Sequence, residues 1–334
     1  MITWSVKQDQ GGREYQEDMF DVVAATDRNR IEAVAGVFDG HGNATISTAL
    51  KHKEFGLVNE IMRWRAKNNS FPVGGDAASL FHEVDRNLWH LLQTQSKKTG
   101  DDATGGSTAI VAAIDDDHVL LYNVGDSRGV VVDVETGDVV LESDDHKPNR
   151  IDERARIMAR GGVVSKSKDC PRAASPWSKY GYSTSRSFGD FELKKNLNEL
   201  WLVNNSDEEN QLMQIKDQAK PVHDGVMSST PEIFERKIDL SHRHFIILAS
   251  DGLWDEIESR QVGEWIRDQK NTCLEKEELI QWMIDTAKER GSDDNMTVVV
   301  LEVGEPNVLC ITQMMNRTTQ QLKKIQALME KVNK

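Results

Sequence analysis

The chain alternates between apolar runs and short polar turns, a pattern that predicts strands and helices in succession. Runs rich in Val, Ile or Ala and bounded by Gly, Asp or Asn predict strands. These runs lie at residues 20–25, 31–38, 107–114, 119–124, 129–134, 245–249 and 297–303. The polar segments 115–117 and 135–138 separate consecutive runs and predict hairpin loops, so the middle of the chain is expected to form a meander.

Apolar residues spaced three and four apart predict helices between these strands. The predicted helices are residues 44–66, 77–94, 152–160, 259–269 and 276–290. Gly161 and Gly291 follow two of them, at positions where glycine commonly ends a helix.

Two strand runs, 109–113 and 246–249, are apolar at successive positions, which predicts that both faces of their sheets are covered. Helical patterns flank the strand groups, so the economical arrangement places helices on both outer sides. The expected fold class is α+β, a four-layer α-β-β-α sandwich of two stacked antiparallel sheets flanked by helices.

One domain is expected over residues 1–305, because no internal repeat or low-complexity linker divides this part of the chain. The polar segment 193–226 is the least regular and predicts an insertion with an exposed loop. Residues 306–334 are expected to form a C-terminal helical extension. Its apolar helical face consists of Leu322, Ile325, Leu328, Met329 and Val332.

The chain is acidic, with a formal net charge of -14 over 334 residues. Phosphate backbones and anionic membranes attract basic surfaces, so this charge argues against nucleic acid and membrane as partners. An acidic protein that acts on phosphate needs cations to offset its own field. The composition therefore favours a metal-assisted role.

The cysteines and the apolar segments favour an intracellular protein. Cys170, Cys273 and Cys310 form a poor disulfide framework or zinc site, and none has an arginine six positions later as a thiolate phosphatase loop requires. No segment approaches ~20 uninterrupted apolar residues, and Ile2 stands where myristoylation needs glycine. We expect a soluble, monomeric, cytoplasmic protein, with the nucleus as an alternative.

Three aspartates that are far apart in sequence each lie where an apolar run meets a tight turn. Asp39 and Asp251 follow strand runs, and Asp294 precedes one. Strands that enter and leave at one edge of an antiparallel sheet bring such residues together. Clustered carboxylates need cations to stay ionised, and hard oxygen ligands select Mg²⁺ or Mn²⁺. The sequence therefore predicts a metal site made from strand ends.

A series of short motifs extends from about Ser5 to Val303. They are Gly12-Arg-Glu-Tyr-Gln-Glu-Asp, Val37-Phe-Asp-Gly-His-Gly, Gly105-Gly-Ser-Thr-Ala, Asn123-Val-Gly-Asp-Ser-Arg-Gly, Asp145-His-Lys-Pro, Glu153-Arg-Ala-Arg-Ile, Ser185-Arg-Ser-Phe-Gly-Asp, Ala249-Ser-Asp-Gly-Leu-Trp-Asp and Asp293-Asp-Asn-Met-Thr. One Asp-Gly turn alone is common. Together and in this order, the motifs resemble those of the protein phosphatase 2C family.

This resemblance implies a set of metal ligands. Asp39 would bridge two metal ions, and the backbone carbonyl of Gly40 would be a ligand of the second, since glycine allows a close approach. Asp251 and Asp294 would hold the first ion.

Three further carboxylates have weaker implied roles. Glu17 and Asp18 would act largely through metal-bound waters, because Mg²⁺ keeps several of its waters. Asp126 would hold a third, weaker metal ion, or would only shape its turn.

Two residues are expected to act on the substrate itself. Arg13 would clamp the phosphate, because a guanidinium offers a planar, bidentate fork; the alternative is a surface salt bridge. His41 would protonate the departing serine or threonine oxygen; the alternative is a structural histidine that hydrogen-bonds the turn.

The implied activity is hydrolysis of phosphoserine and phosphothreonine in proteins, by a water activated by two metals and without a phosphoenzyme. Two alternatives remain open. One is a catalytically weak family member that acts as a phosphoprotein-binding scaffold. The other is a hydrolase of small phosphate metabolites, because the loops around such a site set its specificity.

The family places a mobile flap at about residues 165–182. The basic residues of this segment would bind and steer acidic phosphopeptides, or else form ordinary solvated surface. They are Lys166, Lys168, Arg172 and Lys179.

Overall fold

Two antiparallel sheets of five strands each form the centre of the protein. The structure is a computed structural model. It describes residues 2–27, 30–99, 105–165, 171–175, 181–194, 225–269 and 273–305.

The strands of the described residues are named in chain order. They are β1 (Thr3–Asp9), β2 (Met19–Asp27), β3 (Arg30–Phe38), β4 (Gly40–His41), β5 (Gly106–Ser107), β6 (Ala109–Asp115), β7 (His118–Val124), β8 (Arg128–Asp133), β9 (Val139–Glu142), β10 (Val163–Val164), β11 (Ala173–Ala174), β12 (Phe188–Gly189), β13 (Glu232–Lys237), β14 (His244–Ala249) and β15 (Met296–Val303).

The helices of the described residues follow the same rule. They are α1 (Thr45–Leu50), α2 (Leu57–Asn68), α3 (Gly74–Thr99), α4 (Ile151–Ala159), α5 (Asp251–Trp254), α6 (Ser259–Asp268) and α7 (Lys276–Glu289). A 3₁₀ turn covers Phe191–Lys194.

The first sheet has the strand order β1-β15-β14-β8-β9, and the second has the order β13-β7-β6-β3-β2. Strand β14 shows how the sequence builds both cores, since all of its residues are buried. Ile246 and Leu248 face the second sheet, whereas Phe245, Ile247 and Ala249 belong to the core beneath the helices. Side chains alternate across a strand, so an unbroken apolar run serves a sheet that is covered on both faces.

Helices cover the outer face of each sheet. On the second sheet, Ile61 of α2 and Phe81 of α3 join one apolar cluster with Tyr122 of β7. On the first sheet, Ile266 of α6 and Met283 of α7 join another cluster with strand residues. The predicted four-layer α-β-β-α sandwich is confirmed.

The helix predicted over residues 44–66 is wrong as a single element, because the chain forms α1 and then α2. Between them the backbone folds tightly around Gly56. A Cβ atom there would lie 2.4 Å from the carbonyl oxygens of both Leu50 and His52. Only glycine permits that approach. The apolar spacing continues on both sides of this turn, so it did not predict the break between the two helices.

The predicted turns are confirmed by left-handed backbone. Asp116 (φ 52°) lies between β6 and β7, and Gly137 (φ 74°) lies between β8 and β9. Gly161 (φ 80°) and Gly291 (φ 107°) follow α4 and α7, as helix-ending glycines do.

The two ends of the predicted insertion lie together in the structure. Leu193 and Val226 are both buried, and the backbone N–H of Met227 donates to the carbonyl of Leu193 at 3.2 Å. Residues 195–224, which form most of the insertion, and the predicted extension 306–334 lie outside the described residues. Within the described part, no helix is long and apolar enough to cross a membrane.

Candidate metal centre

A cavity of about 860 Å³ opens where β3 and β14 end and β15 begins. This common edge brings together residues that the sequence separates widely. The predicted site residues that line the cavity are Arg13, Glu17, Asp39, Gly40, His41, Asp126, Arg172, Asp251 and Asp294.

Asp39 and Gly40 are fixed by backbone contacts at the end of β3. The carbonyl oxygen of Asp39 accepts a hydrogen bond from the N–H of Thr108 at 2.9 Å. At Gly40, a Cβ atom would lie 2.5 Å from the carbonyl oxygen of Glu17 and 2.7 Å from Oγ of Ser47. That hydroxyl donates to the same carbonyl at 2.6 Å. The absence of a side chain at Gly40 thus lets the backbone of Glu17 and the side chain of Ser47 pack against it.

The carboxyl groups of Asp18 and Asp251 lie near enough to Asp39 to interact with it electrostatically. Burial, together with the neighbouring Asp251, Asp18 and Asp126, holds the pKa of Asp39 well above its usual range. Burial and Asp126 likewise raise the pKa of Asp251, opposed by the nearby Lys147. Without added cations, these carboxyls cannot all be ionised at neutral pH.

Asp18 lies behind the cavity wall, where 1% of the residue is exposed. Burial raises the pKa of its carboxyl to about 6, although a hydrogen bond from Ser250 opposes the shift. One oxygen accepts from Ser250 Oγ at 2.8 Å, and the other has no hydrogen-bond partner. Buried polar atoms are normally satisfied, so this oxygen indicates an unmet need for a proton, a water or a cation.

The donor set fits hard divalent cations, since every predicted side-chain ligand is a carboxylate oxygen and Gly40 adds a carbonyl. In the described part of the chain, however, no group of three or more His, Cys, Asp or Glu side chains is already arranged as a ligand set. Two of the carboxylates are paired with cations of the chain itself. Cation binding at these two carboxylates therefore requires a change of partner.

Asp294 is one of these two. Its Oδ2 lies 2.6 Å from Nη2 of Arg13, and the two side chains are 40% and 59% exposed. The segment that carries Arg13 is anchored next to Asp294, because the side chain of Asn295 donates to the carbonyl of Tyr15 at 3.1 Å and accepts from the N–H of Glu17 at 2.8 Å. Arg13, from the first part of the sequence, is thus held beside Asp294, a metal-ligand candidate from the last part.

Asp126 is the other. Its residue is 2% exposed, and its Oδ2 accepts from Nζ of Lys147 at 2.8 Å. Nζ of Lys147 also lies 3.4 Å from Asp255. Sequence reasoning missed Lys147, although the motif Asp145-His-Lys-Pro contained it. The motif itself did not indicate that this lysine pairs with a carboxylate that follows a distant strand.

His41 pairs with Asp190, another residue that sequence reasoning missed. Nε2 of His41 lies 2.7 Å from Oδ2 of Asp190, whose side chain is fully buried. Burial of the ring lowers the pKa of His41, but Asp190 and more distant carboxylates outweigh this, so the net shift is upward. The ring of Tyr182 meets the imidazole edge-on, with centroids 5.6 Å apart.

The flap is described only in part. Arg172 lines the cavity and donates to the carbonyl of Gly181 at 2.9 Å. The hydroxyl of Tyr182 donates to Glu192 at 3.0 Å, so acidic and basic groups lie together on this side. The other basic residues predicted to bind substrate lie outside the described residues, and these are Lys166, Lys168 and Lys179.

Comparison with known proteins agrees with the motifs. Residues 6–296 match the model of the family described as Protein phosphatase 2C. Probable protein phosphatase 2C 76 of Arabidopsis thaliana is 30% identical over 293 residues, which cover 87% of this chain and 57% of the relative. Protein phosphatase 2C 57 of the same plant is 31% identical over 319 residues, which cover 91% of this chain and 75% of the relative.

The fold is also found among solved structures. The crystal structure of serine-threonine phosphatase 2C from Toxoplasma gondii superposes with a TM-score of 0.63 at 21% identity, covering 90% of this chain and 95% of that one. At this identity the likeness shows the fold alone. From the family match and the sequence relatives, the chain belongs to the protein phosphatase 2C family, and the predicted resemblance is confirmed.

Proposed function

We propose that the chain is a metal-dependent serine/threonine protein phosphatase that hydrolyses phosphoserine and phosphothreonine without a phosphoenzyme. The observation that carries this proposal is a set of three carboxylates, Asp39, Asp251 and Asp294, that line one cavity together with Arg13 and His41. Such an anionic cluster gains stability from cations, as this chemistry requires.

Asp39, Asp251 and Asp294 would hold the ions, with the carbonyl of Gly40 as a further ligand, and Mg²⁺ or Mn²⁺ suits these oxygen donors. When bound, such ions supply an activated water and neutralise charge on the phosphoryl group. Glu17 and Asp18 would position waters around them. These assignments match the donor chemistry of the cavity.

Arg13 binds the phosphoryl oxygens in this proposal. Its guanidinium lies at the cavity, and its present partner Asp294 is a predicted metal ligand. An incoming dianionic phosphate would take over the guanidinium as Asp294 turns to a cation, so both changes can occur together. A planar fork of donors suits the two phosphoryl oxygens.

His41 protonates the departing oxygen. The oxygen of a water forms a bond to phosphorus while the bond from phosphorus to the serine or threonine oxygen breaks, and the protons of the water stay on the inorganic phosphate that is formed. A proton from the His41 ring goes to that oxygen, which leaves as the hydroxyl. Asp190 beside the ring favours the protonated form that this step uses.

The test is hydrolysis of a phosphothreonine peptide and of an aryl phosphate by the purified chain. Chelation should abolish activity on both substrates, and added Mn²⁺ or Mg²⁺ should restore it. An Asp251→Asn variant serves as the matched control, because it keeps the side-chain volume and removes a ligand charge. Peptide binding without turnover would favour a scaffold, and turnover of aryl phosphate alone would favour a hydrolase of small phosphates.

A further inference from the structure

Asp190 and His41 form a pair whose geometry is fixed from several sides. Nε2 of His41 and Oδ2 of Asp190 are 2.7 Å apart, and Ser187 Oγ donates to the same oxygen at 2.5 Å. The other oxygen of Asp190 is buried without a partner. Both of these side-chain contacts therefore converge on the carboxylate oxygen that faces the histidine.

A small sheet, with strand order β12-β5-β4, builds this pair. His41 of β4 lies opposite Gly106 of β5, and Gly106 in turn lies opposite Gly189 of β12, directly before Asp190. A Cβ atom at Gly106 would lie 2.2 Å from Oδ2 of Asp190 and 2.5 Å from Nε2 of His41. The carboxylate can reach the imidazole only because residue 106 has no side chain.

The backbone of Asp190 is held equally firmly. Its φ is 45°, a left-handed value that non-glycine residues adopt rarely, and its N–H donates to the carbonyl of Gly105 at 3.1 Å. The preceding N–H of Gly189 donates to the buried Asp85 at 2.9 Å, and Asp85 pairs with the buried Lys194 at 2.6 Å. Such a constrained conformation persists only where the surroundings enforce it.

We propose that Asp190 is a positioning residue for His41, holding the ring through Nε2 so that Nδ1 faces the departing oxygen of the substrate. Nδ1 of His41 makes no hydrogen bond to the described residues, and His41 lines the cavity. Asp190 acts only through the histidine. This inference rests on the proposed function, because it assigns the orientation of the acid in that reaction.

A proton from Nδ1 would pass to the departing oxygen as the phosphorus–oxygen bond breaks, while Nε2 keeps its proton and donates it in the hydrogen bond to Asp190. A carboxylate that fixes the tautomer and orientation of a histidine in this way has a recognised role in acyl transfer. Gly106 would then be required for the histidine to have its partner. Neither residue has a role in the expected metal-ligand set.

The test compares two substrates that differ in leaving group. An aryl phosphate departs without a proton, whereas a phosphoserine peptide needs one, and a general acid typically contributes ~10²–10⁴-fold. Asp190→Asn keeps the volume of the side chain. It should lower kcat on the peptide by at least about tenfold, and by no more than the loss expected for His41→Ala. The kcat on the aryl phosphate should stay within about threefold of the wild-type value.

A double variant separates positioning from general damage. On a His41→Ala background, Asp190→Asn should cause no further loss on the peptide, because the two residues act as one unit. Asp133→Asn is the matched control, since Asp133 also pairs with a histidine, His242, at 2.9 Å, and neither lines the cavity. Asp133→Asn should lower the stability of the protein and should change kcat on the two substrates to the same extent.

Equal losses on both substrates, or additive losses in the double variant, would overturn the inference. If Asp190→Asn fails to fold, Ser187→Ala removes one hydrogen bond to the same carboxylate oxygen and should give a smaller change of the same kind; its absence would count against the proposal. A wild-type chain without phosphatase activity, or a His41→Ala variant that loses both substrates equally, would instead refute the proposed function.

Discussion

Arg13 and Asp294 lie 281 positions apart in sequence, yet their side chains meet at 2.6 Å at the cavity. One is the candidate phosphate clamp and the other is a candidate metal ligand. Each neutralises the other in the structure described here. A metal ion that binds Asp294 would therefore free Arg13, and a substrate that binds Arg13 would free Asp294. Removal of the two residues should then have opposite effects on metal affinity.

Arg13→Ala should raise KM for phosphopeptide by about 10–100-fold, because a hydrogen bond to a charged group contributes roughly 1.5–3 kcal/mol. Metal affinity should not fall, since Asp294 loses its competitor. Steady-state kinetics and calorimetric Mn²⁺ titration would measure the two effects. Arg13→Lys is the control, as it keeps the charge and loses the planar fork. A loss of metal affinity in Arg13→Ala would contradict this account.

Asp39→Ala and Asp251→Ala should abolish turnover and leave the fold largely intact. Removing one carboxylate relieves repulsion in the metal-free protein, while it destroys metal binding. We expect a melting temperature in chelator no lower than that of the wild type, together with loss of stabilisation by added Mg²⁺. Near-normal metal-dependent activity in either variant would remove that residue from the ligand set.

The metal-free protein should lose stability as pH rises from about 4 to about 6, because burial raises the folded-state pKa of Asp18 to about 6 from its ordinary 3.8. A raised pKa means that the folded state holds the proton more tightly, so this contribution is present at low pH and is lost through pH 6. Asp39 and Asp251 shift in the same direction.

Melting temperatures in chelator, measured in small pH steps, test this dependence. Asp18→Asn should flatten the decline across the window. Asp133→Asn should not, since hydrogen bonds lower the pKa of Asp133 against the opposing effect of its burial. A wild-type melting temperature that rises steadily through the window would show that the carboxyl cluster is not strained.

Asp126 is expected to hold a weak third cation, for which Lys147 is the competing cation in the structure. Asp126→Ala should then stay folded, keep both tightly bound ions and lose turnover sharply. Lys147→Met should shift the weak binding phase to lower Mn²⁺ concentration, because the carboxylate loses its internal partner. Lys288→Met, which removes a surface pair with Asp9 at 2.8 Å, should leave that phase unchanged.

Activity that saturates together with two-metal binding, combined with a normal kcat in Asp126→Ala, would assign Asp126 to its turn alone. Calorimetry and activity must be followed in the same titration. The binding readout is needed because a weak site can fill without changing turnover.

The basic residues of the flap should matter only for charged peptides. Neutralising Arg172, Lys166, Lys168 and Lys179 together should raise KM for acidic phosphopeptides at low salt and flatten its salt dependence. The kcat on a small aryl phosphate should hardly change. Glu192 lines the cavity together with Arg172, so Glu192→Gln, which removes a negative charge instead of a positive one, is a control that should lower KM. An unchanged peptide KM at low salt would leave the flap residues as solvated surface.

The sequence predicted the buried strands well because their apolar runs must fill two cores at once. It missed β1 and β13, which lie at the edges of the sheets and carry many polar residues. Pairing partners give these strands their structure: β1 pairs with β15 from Thr3 opposite Glu302 onward. An edge strand of this kind has little periodicity of its own.

The candidate site likewise contains residues that the sequence predicted and residues that it missed. Asp39 and Asp251 stand at strand ends, where the pattern of apolar residues already marks them. Asp190 and Lys147 lie in loops whose positions depend on contacts with distant residues, such as the pairing of β12 with β5. Their roles could be inferred only from the structure, which shows the side chain that each one contacts. Motif order alone could not say which charged groups would meet.

The pairing of β1 with β15 also determines when the cavity can exist during synthesis. The lining of the cavity includes Arg13, which follows β1, and its partner Asp294, which precedes β15. A growing chain on the ribosome has made Arg13 and Asp39 long before Asp294 emerges. Distant pairings of this kind close late, because the loop between them must first be ordered. The nascent protein therefore lacks a complete cavity until β15 has been translated and paired with β1.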